Sequence, residues 1–351
     1  MKHKDIVTNS TTEGDVEFSG LINDQTRYLL EVIFFTGFTG SISFLGTIAN
    51  IINIVVFCKQ GFSDSVNISF LALAISDVGS LVTLVWQGVC FNPYFHKADI
   101  PFESRDVQYL TAGWPHVCFA RITSWITAFI TFERCLCISV PLKVKLIITS
   151  KRTLYINAGI FLTMFASVSP VYYAINIGPK FFPGRNETLL GLVYKPDGAD
   201  IENVSFSINV FAQLSSVLFV IICTCVLIHN LVLKSKWRKS TQSSAATARS
   251  AASGSGESGM SSKEKRVVKL VTLISCIFIA CFLPSAVNLI LMISSDDYSI
   301  VGKYRNMFQV SWSMLNTLEA TNCSVNICVY YTMSSKYRAV FTSLFAKKNK
   351  N

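Results

Sequence analysis

Charge is what this chain has least of: only 15% of its 351 residues are Asp, Glu, Lys or Arg, against about a quarter in an ordinary soluble domain. Histidine is rarer, with four in the whole sequence. The eleven cysteines show no metal-ligand spacing with a His pair, which excludes a His/Cys metal centre. They read as buried thiols beside apolar runs, with Cys90 and Cys118 as a candidate pair near one face. No Ser-His-Asp set, Gly-rich phosphate loop or metal signature occurs, so enzymatic chemistry is not expected.

Apolar residues fill the space that charge leaves. They make up 51% of the chain, and mean hydropathy is +0.44, a composition that points to a membrane protein. About 20 apolar residues in a helix cross a hydrocarbon core of about 30 Å, and seven stretches of that kind occur. Their helices are expected at about 32–58, 65–92, 106–139, 153–178, 204–234, 264–295 and 305–333. Hydrocarbon satisfies no backbone N–H or C=O, so helices are preferred to strands throughout. The expected fold is an all-α membrane protein, a seven-transmembrane helix bundle spanning 32–335. The tail 1–31 contains nothing that looks foldable alone, and 235–263, rich in Ser, Ala and Gly, reads as a disordered loop. In 334–351, Tyr337, Val340, Phe341, Leu344 and Phe345 form a helical stripe opposite Lys336 and Arg338. That pattern predicts a short amphipathic helix on the membrane surface, touching lipid.

Orientation follows from the connections. With the N-terminus outside, the inner connections and tail hold nineteen basic residues and three acidic ones, and the outer ones ten basic and fifteen acidic. Basic residues concentrate on the cytoplasmic side, so the N-terminus is expected outside and the C-terminus inside, in a multi-pass plasma-membrane protein. The net charge of +10 is therefore a topology and lipid signal, not a nucleic-acid one. Glycosylation sequons at Asn9, Asn186 and Asn203 all fall on the outer side. No cleavable signal peptide is evident.

Ionisable residues inside apolar runs are expensive and therefore functional candidates. "ERCLCISVPL", residues 133–142, resembles the inner end of the third helix of class A, rhodopsin-like G-protein-coupled receptors, with Cys135 where Tyr is usual. "GTIANIINIV" with Asn50, "LALAISD" with Asp77, "CFLPS" with Pro284, and "NICVYY" with Asn326 and Tyr330 follow the same family in order. Phe282 replaces Trp, and Ile327 replaces Pro. "FERCLCI" and "KVKLIIT" are similar to invertebrate, notably molluscan, chemosensory or orphan peptide-type receptors.

The resemblance implies a switch for a heterotrimeric G protein at Glu133, Arg134, Glu264 and Tyr330, with Arg134 paired to Glu264 at rest. It implies a sodium-capable pocket of Asp77, Thr123, Asn322 and Asn326, for which mutual hydrogen bonding is the alternative. It implies an extracellular chemical or peptide ligand near His116, Arg121, Trp312 and Glu319, with Phe282 beneath. Arg121 and Glu319 are candidates for a mutual ion pair or for ligand contact. Ala320 replaces the Lys that retinal needs and His116 the Asp that biogenic amines need, which disfavours both ligands; the acidic outer face favours a basic peptide. Tyr109 stands where the family has a disulfide cysteine, and no Cys lies between Ser150 and Ile222, so that staple is absent. The Ser-rich loop reads equally as a linker or as a phosphorylated segment that would engage a kinase and arrestin. The competing function is a transporter or channel lined by Asp77, Arg121 and Glu319, against which stands the lack of any internal repeat.

Overall fold

A computed structural model describes residues 21–140, 144, 146–247 and 262–345, without the side chains of 234–247, 262–265 and 345. Asn9, the Pro141-Leu142 pair, most of the Ser-rich loop and the Glu264 side chain lie outside the described residues.

Helix α1 (Asp24–Gln60) starts eight residues before the expected boundary. The Asn23 side chain accepts from the Thr26 N–H at 2.7 Å and so caps the first turn, which is why part of the supposedly unstructured tail is helical. The helix passes through a π-helical stretch at Val32–Thr39 and stops at Gly61, whose φ of 82° suits a residue without a Cβ. Next come α2 (Ser65–Cys90), capped by Asp64, a short α3 (Pro93–His96), and α4 (Ser104–Ser139). Thr149 caps α5 (Ser150–Ala174). The expected helix 153–178 ends there, because Ile175–Phe182 turns into strand β1 and pairs antiparallel with β2 (Glu187–Tyr194). The remaining helices are α6 (Gly198–Thr247), α7 (Ser262–Ser294), α8 (Arg305–Met333) and α9 (Ser335–Phe345). Helix α6 continues well into the segment expected to be a disordered loop, so 235–247 is corrected to helix.

Six of these helices, α1, α2 and α4–α7, are long and apolar enough to cross a membrane. Helix α8 is as long, but Asn306, Asn316, Glu319, Asn322 and Asn326, all buried, dilute its hydropathy. Helix α1 packs on α2 and α8, α8 on α7, and α7 on α6, closing a ring with α5 between α6 and α2. Helix α4 contacts α2, α5, α6 and α7 and is the central pillar: 67% of its apolar window is buried, against 28% for α5. The ring closes tightly where a Cβ on Gly46 would come within 2.8 Å of the Ser324 Cβ. Asn50 of α1 donates to the Cys323 carbonyl of α8 at 2.8 Å across that seam. Helix α9 docks through Tyr337, which is buried against Phe57 and Tyr330 and donates to Asn53 Oδ1 at 2.6 Å.

The β-hairpin covers one end of the bundle without a covalent tie; no disulfide joins the described residues, and Cys90 and Cys118 are unbridged. Lys180 Nζ meets Asp106 Oδ2 at 2.8 Å, and Arg185 Nε lies 3.5 Å from Glu103 Oε2. The Glu103 N–H donates to the Leu190 carbonyl and the Leu190 N–H to the Pro101 carbonyl, each at 2.9 Å. These contacts do what the absent disulfide would do.

Candidate functional site

Two cavities open at opposite ends of the bundle, with a buried polar layer between them. The cavity at the end expected to face outside, the outer cavity for short, has a volume of about 350 Å³ and is lined by residues of α1, α2, α4, α6, α7 and α8. Of the ligand-contact candidates, His116 and Trp312 lie on its wall, and Arg121, Glu319 and Phe282, the last expected beneath the others, do not line it. Its charged lining, Arg27, Glu31 and Arg105, was not anticipated. One signal existed: Asp24, Arg27 and Glu31 are spaced three and four apart, as on one helix face, directly after an Asn that can cap.

Below that cavity His116, buried on α4, joins three helices. Its Nδ1 is 3.1 Å from Ser80 Oγ on α2, and its Nε2 is 3.1 Å from Glu319 Oε2 on α8. Glu319 Oε1 accepts from Ser285 Oγ on α7 at 2.9 Å. Ser285 follows Pro284, which leaves the helix short of one internal hydrogen bond and is its natural bending point. Arg121 does not pair with Glu319. It donates to Gln213 Oε1 of α6, and its Nε–H has no partner. Of the two readings of these residues the structure does not form the mutual ion pair: Glu319 is held by His116 and Ser285, and Arg121 by Gln213. Phe282 is fully buried and stacked on Phe278, with ring centroids 4.5 Å apart.

Asp77 sits deeper and is inaccessible to solvent. Thr123 donates to its Oδ1 and Asn326 to its Oδ2, both at 2.9 Å, and the Cys323 side chain lies beside it. Ser76 and Thr123 hydroxyls lie 2.9 Å apart. Asn322 makes no hydrogen bond to this carboxylate, and Cys323 was missed because a thiol beside an acid has no sequence signature.

At the inner end, Arg134 Nη2 donates to Glu133 Oε1 at 2.6 Å, and Ser65 Oγ donates to the same oxygen at 2.5 Å. Glu133 and Arg134 are buried and Ser65 is half-buried, and Glu133 Oε2 and Arg134 Nε remain without hydrogen-bond partners. Tyr330 is not part of that cluster. It packs among Phe57, Phe70 and Tyr337, with its hydroxyl unpartnered, and lines an inner cavity of about 440 Å³ together with Asp64, Arg266 and Lys336. Of the four switch candidates, the structure brings together Glu133 and Arg134 and sets Tyr330 apart on the cavity wall.

The two cavities thus lie on either side of separate buried polar clusters around Glu319, Asp77 and Glu133. No curated protein matches the chain. The profile of a family described as "Serpentine type 7TM GPCR chemoreceptor Srw" matches residues 37–348, nearly the whole of the described bundle. A transporter is not favoured by that match, and neither the rhodopsin-like class nor a molluscan kinship follows from it. The chain belongs to the serpentine 7TM GPCR chemoreceptor Srw family and is a multi-pass membrane receptor that acts through G proteins.

Proposed function

We propose that the outer cavity receives a ligand from outside the cell and that its occupation shifts α7 about Pro284, opening the inner end to a heterotrimeric G protein. In this reading the protein lies in the plasma membrane with seven spans, α8 being the seventh, its N-terminus outside and α9 along the inner surface. The rhodopsin-like motifs are then shared features of the inner switch.

One observation carries the proposal: His116 faces the outer cavity and is hydrogen-bonded through Glu319 to Ser285, so a displacement at the wall reaches the bending point of α7 in two contacts. At the inner end the Glu133–Arg134 pair is the closed state. A buried pair with unpartnered polar atoms is only marginally favourable, so it is poised to open, and its release supplies a group that a G protein can meet. Exposed Asn186 and Asn203 are the glycan acceptors of the outer face. Asp77, with the Thr123 hydroxyl oxygen beside it and Asn326 now donating its amide N–H to the carboxylate, is a site for a hard monovalent cation such as sodium, which would favour the closed state. Kinase and arrestin act at the Ser-rich loop.

The experiment is a ligand screen in cells that report G-protein activation, with Arg134→Ala in parallel. Ligand responses that disappear in the variant at equal surface expression are expected. A response of unchanged size would refute the switch.

A further inference from the structure

The outer cavity carries a charge imbalance. Arg27 of α1 and Arg105 of α4 approach the one carboxylate of Glu31 from two sides, at 4.0 and 3.9 Å. Both separations are at the limit of ion pairing, and neither Nε–H has a hydrogen-bond partner; nor does Glu31 Oε2. Arg105 also lies over the rings of Tyr28 and Phe91, at 5.3 and 5.2 Å from their centroids, which fixes its plane. One carboxylate neutralises one guanidinium, so a cation is left over.

Among the described residues no second carboxylate lines the cavity, and the Gln309 Oε1 that accepts from Arg27 is neutral. Arg27 meets Asp24 at 3.6 Å, but Asp24 is shared with Arg305 at 3.8 Å, so the cluster has three arginines and two carboxylates. Glu202 does not line the cavity, and it is occupied by neutral donors, the Tyr109 and Tyr194 hydroxyls at 2.6 and 3.1 Å and Trp114 Nε1 at 3.4 Å. The rest of the wall is largely aromatic, including Trp114, Phe206, Phe308 and Trp312. A volume of about 350 Å³ lies at the small end of ligand pockets.

We infer that the cavity binds a small organic acid: one carboxylate seated between Arg27 and Arg105, joined to an apolar or aromatic body resting on Phe308 and Trp312. A planar guanidinium presents paired N–H donors that match a carboxylate, and the acid would supply the acceptor that Glu31 cannot share between two cations. A basic ligand, which the acidic outer face as a whole suggested, would instead add charge to a site already in excess. The inference rests on the receptor reading, whose ligand class it specifies.

The test uses the purified full-length protein in detergent, with thermal unfolding as the binding readout, and reporter cells beside it. The probes are phenylalkanoic and medium-chain alkanoic acids, each with its primary amide and its amine. Acids are expected to raise the melting temperature, and amides and amines are not. Arg27→Ala and Arg105→Ala should weaken the acids by about tenfold or more, the loss of one charge-assisted contact, and Arg105→Lys by less. Glu31→Gln removes the competing carboxylate and should tighten acid binding several-fold, a gain that misfolding cannot produce. Equal or better binding of amides or amines, no binding by any acid, or weaker acid binding in Glu31→Gln would overturn the inference. Acids that stabilise the protein but evoke no G-protein response would leave the ligand class standing and remove the receptor reading. A G-protein response confined to amides or amines would do the reverse.

Discussion

Removing the Ser285 hydroxyl should show that Glu319 joins α7 to α4. Ser285 and His116 each make a charge-assisted hydrogen bond to this buried carboxylate, at 2.9 and 3.1 Å. Such bonds contribute about 1.5–3 kcal/mol, and neutral ones about 1 kcal/mol. Ser285→Ala should therefore destabilise the protein by about 1.5–3 kcal/mol in the native background. With Glu319→Gln already present, the same change removes only a neutral bond and should cost about 1 kcal/mol or less. The double-mutant cycle then yields a coupling of roughly 1–2 kcal/mol. With unfolding entropy scaling with length, 1 kcal/mol shifts the melting temperature of a chain of this size by about 1–2 °C, so the two backgrounds should differ by about 1–3 °C in the effect of Ser285→Ala. Thermal unfolding is readily followed with a thiol-reactive dye, since Cys118, Cys281 and Cys323 are buried and free. Melting-temperature shifts that simply add would refute the coupling, and with it the path from His116 to Pro284.

Gly46→Ala would bring a Cβ to 2.8 Å from the Ser324 Cβ and 3.1 Å from Leu81 Cδ1; overpacking of this kind costs about 1–3 kcal/mol, and Ser324→Gly should restore most of the lost melting temperature. Sodium should lower basal signalling in the native receptor and leave Asp77→Asn unaffected, measured in membranes with sodium exchanged for a large organic cation; an unchanged sodium response in the variant would exclude Asp77 as the site. His96 is held below its ordinary pKa, chiefly by burial and also by Arg105, Arg185 and Lys97, with Glu103 pulling the other way. Because the unfolded chain takes up this proton first, stability should fall as the pH drops below about 6.5 and be unaffected above it; melting curves of His96→Asn should lose that slope.

The bundle was legible because a membrane imposes length and apolarity together. The boundaries 305–333 match α8, and the stripe led by Tyr337 is the face that α9 packs inward. What the sequence hid was whatever depends on neighbours distant in the chain. Glu319 and Arg121 look like a pair by position, yet His116, Ser285 and Gln213 reach them first. The hairpin was concealed by apolar residues that would serve equally in a helix, and no disulfide marked its place. Arg27 and Glu31 were set aside with a polar tail, since only the Asn23 cap distinguishes their helix from loose chain.

The means by which the hairpin is fastened decides what can loosen it. A covalent bridge would yield to reductants and ignore electrolytes; ion pairs such as Lys180–Asp106 and Arg185–Glu103 behave the opposite way, being indifferent to thiols and weakened as salt shortens the Debye length to about 8 Å at physiological strength. The hairpin over this end of the bundle is thus loosened by rising salt and not by reductants.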